Sequence, residues 1–208
     1  MNIQKTYLYK ILRSLYFYFS ELEEKRLGVD FSSQNSSEPE LNRSISNHYS
    51  PSSNGLLHIL KKIDIQETDK IIDIGCGKGK AMYMMSKFSF SRIDGYDISE
   101  ELCEIAKKNI SILKLNNCTV FCANAEEFSE YDEYNFFYIY NSVPKSVFFS
   151  VFKNIKDSLS RNQRKIYIIC LNPVYHDIII SDNSFSVALE YKTLIKWFDL
   201  NCYTNQQL

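Results

Sequence analysis

The chain has 208 residues, 45% of them hydrophobic, which suits one domain with a peripheral extension and a sizeable core. Its formal net charge is −1, from 24 Lys and Arg against 25 Asp and Glu, so the overall balance does not favour nucleic acid as a partner. The six cysteines (76, 103, 118, 122, 170 and 202) lack metal-ligand spacing, and with no signal peptide they read as reduced, buried thiols of a cytoplasmic protein without a metal site.

From the N-terminus, Tyr7, Leu8, Ile11, Leu12, Leu15, Tyr16, Phe19 and Leu22 recur at 3-4 spacing and predict an amphipathic helix over residues 3–26. Lys5, Lys10 and Arg13 interrupt it too often for a membrane span. The helix is expected to dock on the rest of the chain or on a partner; the alternative is a helix lying on a membrane surface. Residues 28–47 are rich in Ser and Asn and predict a mobile loop, which divides an extension over 1–47 from a main domain over 48–208.

Beyond it the pattern alternates: helix over about 52–63, strand 70–75, helix 78–88, strand 91–97, helix 99–115, strands 118–123 and 134–141, helix 145–160 and strand 165–171. Strand alternating with helix predicts an α/β fold with a doubly wound, mostly parallel sheet. The uninterrupted bulky run Phe136 to Tyr140 reads as a buried central strand, and Cys118 and Cys122 share one strand face by period two. Two apolar runs, Phe185 to Tyr191 and Leu194 to Tyr203, suit an antiparallel hairpin at the sheet edge.

The first strand, Lys70-Ile71-Ile72-Asp73-Ile74, runs directly into Gly75-Cys76-Gly77-Lys78-Gly79. Glycines at alternate positions permit positive φ and close approach of a ligand to the backbone, and the following helix would aim N–H groups at that ligand. The spacing G-x-G-x-G departs from the dinucleotide fingerprint G-x-G-x-x-G, and Ala81 after Lys80 departs from a P-loop. An acid, Asp97, ends the second strand 97 − 75 = 22 positions after the first glycine, where α/β nucleotide sites place a carboxylate on ribose hydroxyls. Asn124-Ala125 ends the third strand, and Asn141-Ser142-Val143-Pro144 follows the fourth.

These four elements, in this order, resemble the class I S-adenosylmethionine (SAM) dependent methyltransferases over roughly residues 50 to 172. The resemblance implies a seven-stranded sheet ordered 3-2-1-4-5-7-6 with an antiparallel last strand. It implies SAM as cofactor: Asp73 on the methionine amino group, Gly75, Cys76, Gly77 and Gly79 under the methionine and ribose, Asp97 with Ile98 at the ribose, and Asn124-Ala125 at the adenine. Tyr49 covers the cofactor or serves as a packing tyrosine. Asn141 touches cofactor and acceptor, with Pro144 beside it; the motif departs from the Asn/Asp-Pro-Pro-aromatic box of amino-group methyltransferases acting on adenine or glutamine. His176 is the candidate general base, or an exposed loop histidine without a role. The bland alternatives are a turn-capping Asp73, an N-capping Asp97 and a turn-forming Asn124. The expected reaction is methyl transfer to N or O on a protein side chain, small metabolite or glycan; the alternative is an inactive SAM-binding protein acting through a partner. A nicotinamide oxidoreductase would share the sheet and the ribose acid but not the glycine spacing.

Overall fold

The computed structural model describes residues 15, 18–32, 54–140, 143–193 and 198–205. Tyr49, Asn141, Ser142 and most of the Ser/Asn-rich stretch lie outside the described residues. Helix α1 covers 18–27, followed by α2 (Asn54–Leu60), β1 (Lys70–Ile74), α3 (Lys80–Met85), β2 (Arg92–Asp97), α4 (Glu100–Ile112), β3 (Cys118–Cys122) and β4 (Phe136–Tyr140). Helix α5 (Lys145–Arg161), β5 (Tyr167–Leu171), α6 (His176–Ile180), β6 (Phe185–Tyr191) and β7 (Leu200–Asn205) complete the chain.

The seven strands form one sheet in the order β3-β2-β1-β4-β5-β7-β6, as the resemblance implied. Strands β1 to β5 pair in parallel, and β7 runs antiparallel to both β5 and β6. A register shift between Val187 and Leu189 bulges β6 at the free edge. Central strands are covered on both faces, so β4 is buried along its whole length and reads as a continuous apolar run. Its side chains still alternate: Phe136, Tyr138 and Tyr140 face the layer holding Leu56, Ile59, Met82 and Ala106, while Phe137 and Ile139 face the layer of Phe148, Val151, Phe152 and Ile155. Asp73 shares the first face with Ile71, at the carboxyl end of β1.

Four expectations need correction. The last strand spans Leu200–Asn205, not 194–203; its polar residues Asn201, Thr204 and Asn205 hide it from an apolar count, yet each spends its side chain on a hydrogen bond inside the fold. The stretch read as a loop around His176 forms α6, which buries Ile179. Cys122 is exposed rather than buried, because β3 is an edge strand. Finally, α1 meets the core through its polar face: Ser20 and Glu24 are buried, while Leu15, Tyr18, Phe19 and Leu22 point outward. Among the described residues no helix is long and apolar enough to cross a membrane.

Gly95 lies within β2 rather than in a turn, and its need for hydrogen in place of a side chain is steric. A Cβ there would meet Met82 Sδ at 2.6 Å and Cys76 Cβ at 2.7 Å. Gly95→Ala is therefore expected to lower stability by about 1–3 kcal/mol through overpacking. Urea unfolding checks this: the midpoint should fall with the slope unchanged.

Candidate functional site

All the described candidate cofactor residues lie at the carboxyl ends of β1, β2 and β3, beside the switch point where strand order reverses between β1 and β4. The turn leaving β1 takes left-handed backbone at Gly75 (φ 77°), Gly77 (φ 52°) and Gly79 (φ 82°). L-residues pay for that conformation, so all three glycines are there for the backbone path. The path is fixed from β2: Tyr96 O accepts from the N–H groups of both Gly75 and Cys76 at 2.9 Å, and Asp97 Oδ2 accepts from Gly77 N at 2.9 Å. Asp97 Oδ1 accepts from Ser99 N at 3.0 Å, and Ser99, rather than Asp97, caps α4 by accepting from Leu102 N. Ala123 N donates to Asp97 O, which ties the end of β3 to the same corner.

Asp73 is only 2% exposed, and its carboxyl makes no hydrogen bond among the described residues. Burial, with the nearby charge of Asp97 adding to it, pushes its carboxyl up to about 8. An acid kept in this state fits a site that receives a cation. Cys76 beside it is buried, its thiol pushed well above the usual range by burial and by the Asp73 and Asp97 charges, which makes it a packing group rather than a nucleophile. At Gly77 an added Cβ would meet nothing within 4 Å, so the loop borders open space on the ligand side. Ile98 is 57% exposed next to Asp97. Asn124 engages its own turn, with Oδ1 accepting from Glu126 N at 3.0 Å and Nδ2 donating to Glu127. Asn154 of α5 holds that turn by donating to Phe128 O at 3.1 Å, a contact no local pattern announces.

On the other side of the switch point, Pro144 is exposed and opens α5. An apolar depression beyond β4 and β5 is lined by Ile139, Phe148, Pro173, Val174, Tyr175 and His176. Asn172 enters it in left-handed backbone (φ 52°). His176 is half-buried and does not stand alone. Lys192 Nζ, which can only donate, contacts Asn201 Oδ1 at 3.1 Å and so sets the amide; Asn201 Nδ2 then donates to the Tyr203 hydroxyl at 3.1 Å. The hydroxyl hydrogen is left for His176 Nδ1, 2.9 Å away. With the Tyr203 hydroxyl donating to Nδ1, His176 can present Nε2–H to a ligand.

The N-terminal arm completes the site from outside the sheet. Lys78 and Lys80 flank Gly79; Lys78 pairs with Asp30 at 3.0 Å, and Lys80 lies 3.8 Å from Glu24 and hydrogen-bonds Ser20. Burial lowers the Lys80 pKa, and the charges of Glu24 and Glu23 oppose that shift. Glu24, itself buried, accepts from Phe31 N, Ser32 N and Ser32 Oγ. The buried amide of Asn109 joins arm to loop: Oδ1 accepts from Asp30 N, while Nδ2 donates to Asp30 O and to Lys78 O. Residues 28–32, expected to be mobile, are thus pinned. None of these partners was legible in the sequence, since Asp30 and Asn109 lie 79 positions apart.

Residues 71–162 match the model of a methyltransferase domain family. Over that stretch the chain is similar to methyltransferase domains. Over 57 residues the chain is 32% identical to the ribosomal protein L11 methyltransferase of Acetivibrio thermocellus, covering 27% of this chain and 18% of that protein. A SAM-dependent methyltransferase from Aquifex aeolicus superposes with a TM-score of 0.57 at 15% identity, over 81% of this chain and 98% of that one. An rRNA methylase from Streptococcus thermophilus does so with 0.53 at 12% identity, over 83% and 99%. The residues at this site fit SAM, the cofactor of such methyltransferases: a buried acid, an open-sided glycine turn and a second carboxylate at the neighbouring strand tip.

The Asp73 environment fixes a pH dependence. A carboxyl with its pKa raised to about 8 is largely protonated at pH 7, whereas pairing with a ligand ammonium requires the carboxylate. Binding then releases a proton, and affinity for S-adenosylhomocysteine should rise roughly tenfold from pH 6.5 to 8 before levelling. The same shift makes the ligand-free protein lose stability as pH climbs from about 4 to 8, because the unfolded carboxyl ionises first. Calorimetry in buffers of different ionisation enthalpy should report the released proton, and Asp73→Asn should bind weakly with a flat profile.

Proposed function

We propose that the chain transfers a methyl group from SAM to a nitrogen or oxygen acceptor on a protein side chain, a small metabolite or a glycan. The observation that carries this reading is the buried, partnerless Asp73 beside the left-handed glycine turn, with Asp97 at the next strand tip. In this reading Asp73 holds the methionine amino group and Asp97 the ribose hydroxyls. Gly75, Cys76, Gly77 and Gly79 run beneath the ligand, Ile98 lies beside Asp97 at the ribose, and Asn124-Ala125 borders the adenine. When bound, SAM supplies a methyl already activated by its sulfonium. What remains for the protein is to align the acceptor and exclude water.

The acceptor enters over the apolar depression beyond β5, lined by Ile139, Phe148 and Asn172 to His176. In this reading His176 orients it by donating from Nε2 while its Nδ1 accepts from the Tyr203 hydroxyl 2.9 Å away. Apolar walls desolvate an amine or hydroxyl and so strengthen that one hydrogen bond. The L11 methyltransferase of Acetivibrio thermocellus acts, by its name, on a protein, and the curated relative is matched over only 18% of its length. A fold shared with an rRNA methylase keeps nucleic acid among the acceptors, so net charge alone does not remove that class.

Isothermal titration with S-adenosylhomocysteine tests the reading. Wild type should bind in the micromolar range, and Asp97→Ala should lose at least tenfold, since a hydrogen-bonded charge contributes about 1.5–3 kcal/mol. No binding by folded wild type would overturn it. A labelled-methyl screen should then include peptides, small amines and alcohols, glycans and oligoribonucleotides.

A further inference from the structure

The glycine turn carries two lysines, Lys78 and Lys80, whose side chains are only 6% and 14% exposed. This is an awkward place for positive charge. SAM bears an ammonium, a carboxylate and a sulfonium and so has a net charge of +1, whereas S-adenosylhomocysteine, lacking the sulfonium, is net neutral. Two buried ammonium groups beside the turn would repel the first more than the second. The arm answers this with two acids: Asp30 contacts Lys78 through both carboxylate oxygens, at 3.0 and 3.1 Å, and Glu24 lies 3.8 Å from Lys80. The placement is held independently of the charges. Phe31, next to Asp30 in the arm, is buried and stacks on Tyr83 of α3 with centroids 5.9 Å apart, and Asn109 hydrogen-bonds both Asp30 and Lys78 through backbone atoms.

We propose that Asp30 and Glu24 are positioning residues of the cofactor loop, which keep Lys78 and Lys80 as neutral pairs and thereby set the site's preference for the cationic cofactor over its neutral product. The inference rests on the SAM-binding reading above. It assigns the arm a role in discrimination as well as packing. Removing one arm charge shifts the charge next to the turn by one positive unit. A unit charge about 12 Å from another, at an effective dielectric near 20, acts by a factor on the order of ten. Salt screens exposed charges strongly and buried ones less, so the effect should persist at physiological ionic strength.

The test is a calorimetric comparison of SAM and S-adenosylhomocysteine on the full chain, using wild type, Asp30→Asn, Glu24→Gln and the pair Asp30→Asn/Lys78→Met. Thermal melting first establishes that each variant is folded; Asp30 is 40% exposed, so its amide variant should be. The expected result for Asp30→Asn is a SAM affinity that falls roughly tenfold more than that for S-adenosylhomocysteine. Glu24→Gln should shift the ratio the same way, and adding Lys78→Met to Asp30→Asn should restore it. An equal loss for both ligands would show a scaffold without electrostatic selectivity and overturn the proposal, as would a ratio unchanged in the single variants. Failure of wild type to bind either ligand would instead overturn the methyltransferase reading, and this inference with it.

Discussion

Everything at this site hangs on the end of β2. Tyr96 O takes two consecutive N–H groups from the glycine turn, and the Asp97 carboxylate takes a third. A left-handed run of backbone with no side chains has no internal reason to hold one shape, and its conformational freedom is costly to freeze. Parallel pairing of β1 with β2 supplies that reason, because it brings two strand tips level and lets one present acceptors to the other's turn. Gly95 permits the approach by leaving room for Cys76 and Met82. The turn is thus a product of sheet register as much as of glycine content.

The same corner explains the electrostatics. Asp73 and Asp97 end neighbouring strands on the same side of the turn, so that ionisation of Asp73 is disfavoured first by its burial and then by the charge of Asp97. Further out, the lysines of the turn are met by acids from the arm. A cationic ligand therefore encounters acid at the centre and compensated base at the periphery. That layering is built from three separate chain segments, none of which carries a basic or acidic run of its own.

Much of this was legible in the sequence, for a physical reason. Parallel strands buried on both faces read as continuous β-branched or aromatic runs, so β1, β4 and β5 announce themselves, and the G-x-G-x-G turn with an acid 22 positions on is a local pattern dictated by backbone geometry. What escaped was long-range or polar. The five-residue α6 is too short for periodicity to register, and β7 carries polar side chains that serve internal hydrogen bonds. The arm's apolar spacing was visible, but its described members Leu15, Phe19 and Leu22 mark the outward face; docking is done by Ser20, Glu24 and Asp30, whose partners lie far along the chain. The setting of His176 escaped for a similar reason, since its contacts reach it from Tyr203, Asn201 and Lys192 at the edge hairpin.

The register shift in β6 has a bearing on how the molecule behaves in company. An outermost strand offers unpaired N–H and C=O groups to any extended chain that comes alongside, which is the usual route to aggregation. Interrupting the ladder between Val187 and Leu189 bends and twists that border, and Glu190 and Lys192 add charge just beyond it. The sheet is thereby discouraged from recruiting an eighth strand at the hairpin side, and the hairpin that orients His176 is left to pair only with itself and with β5.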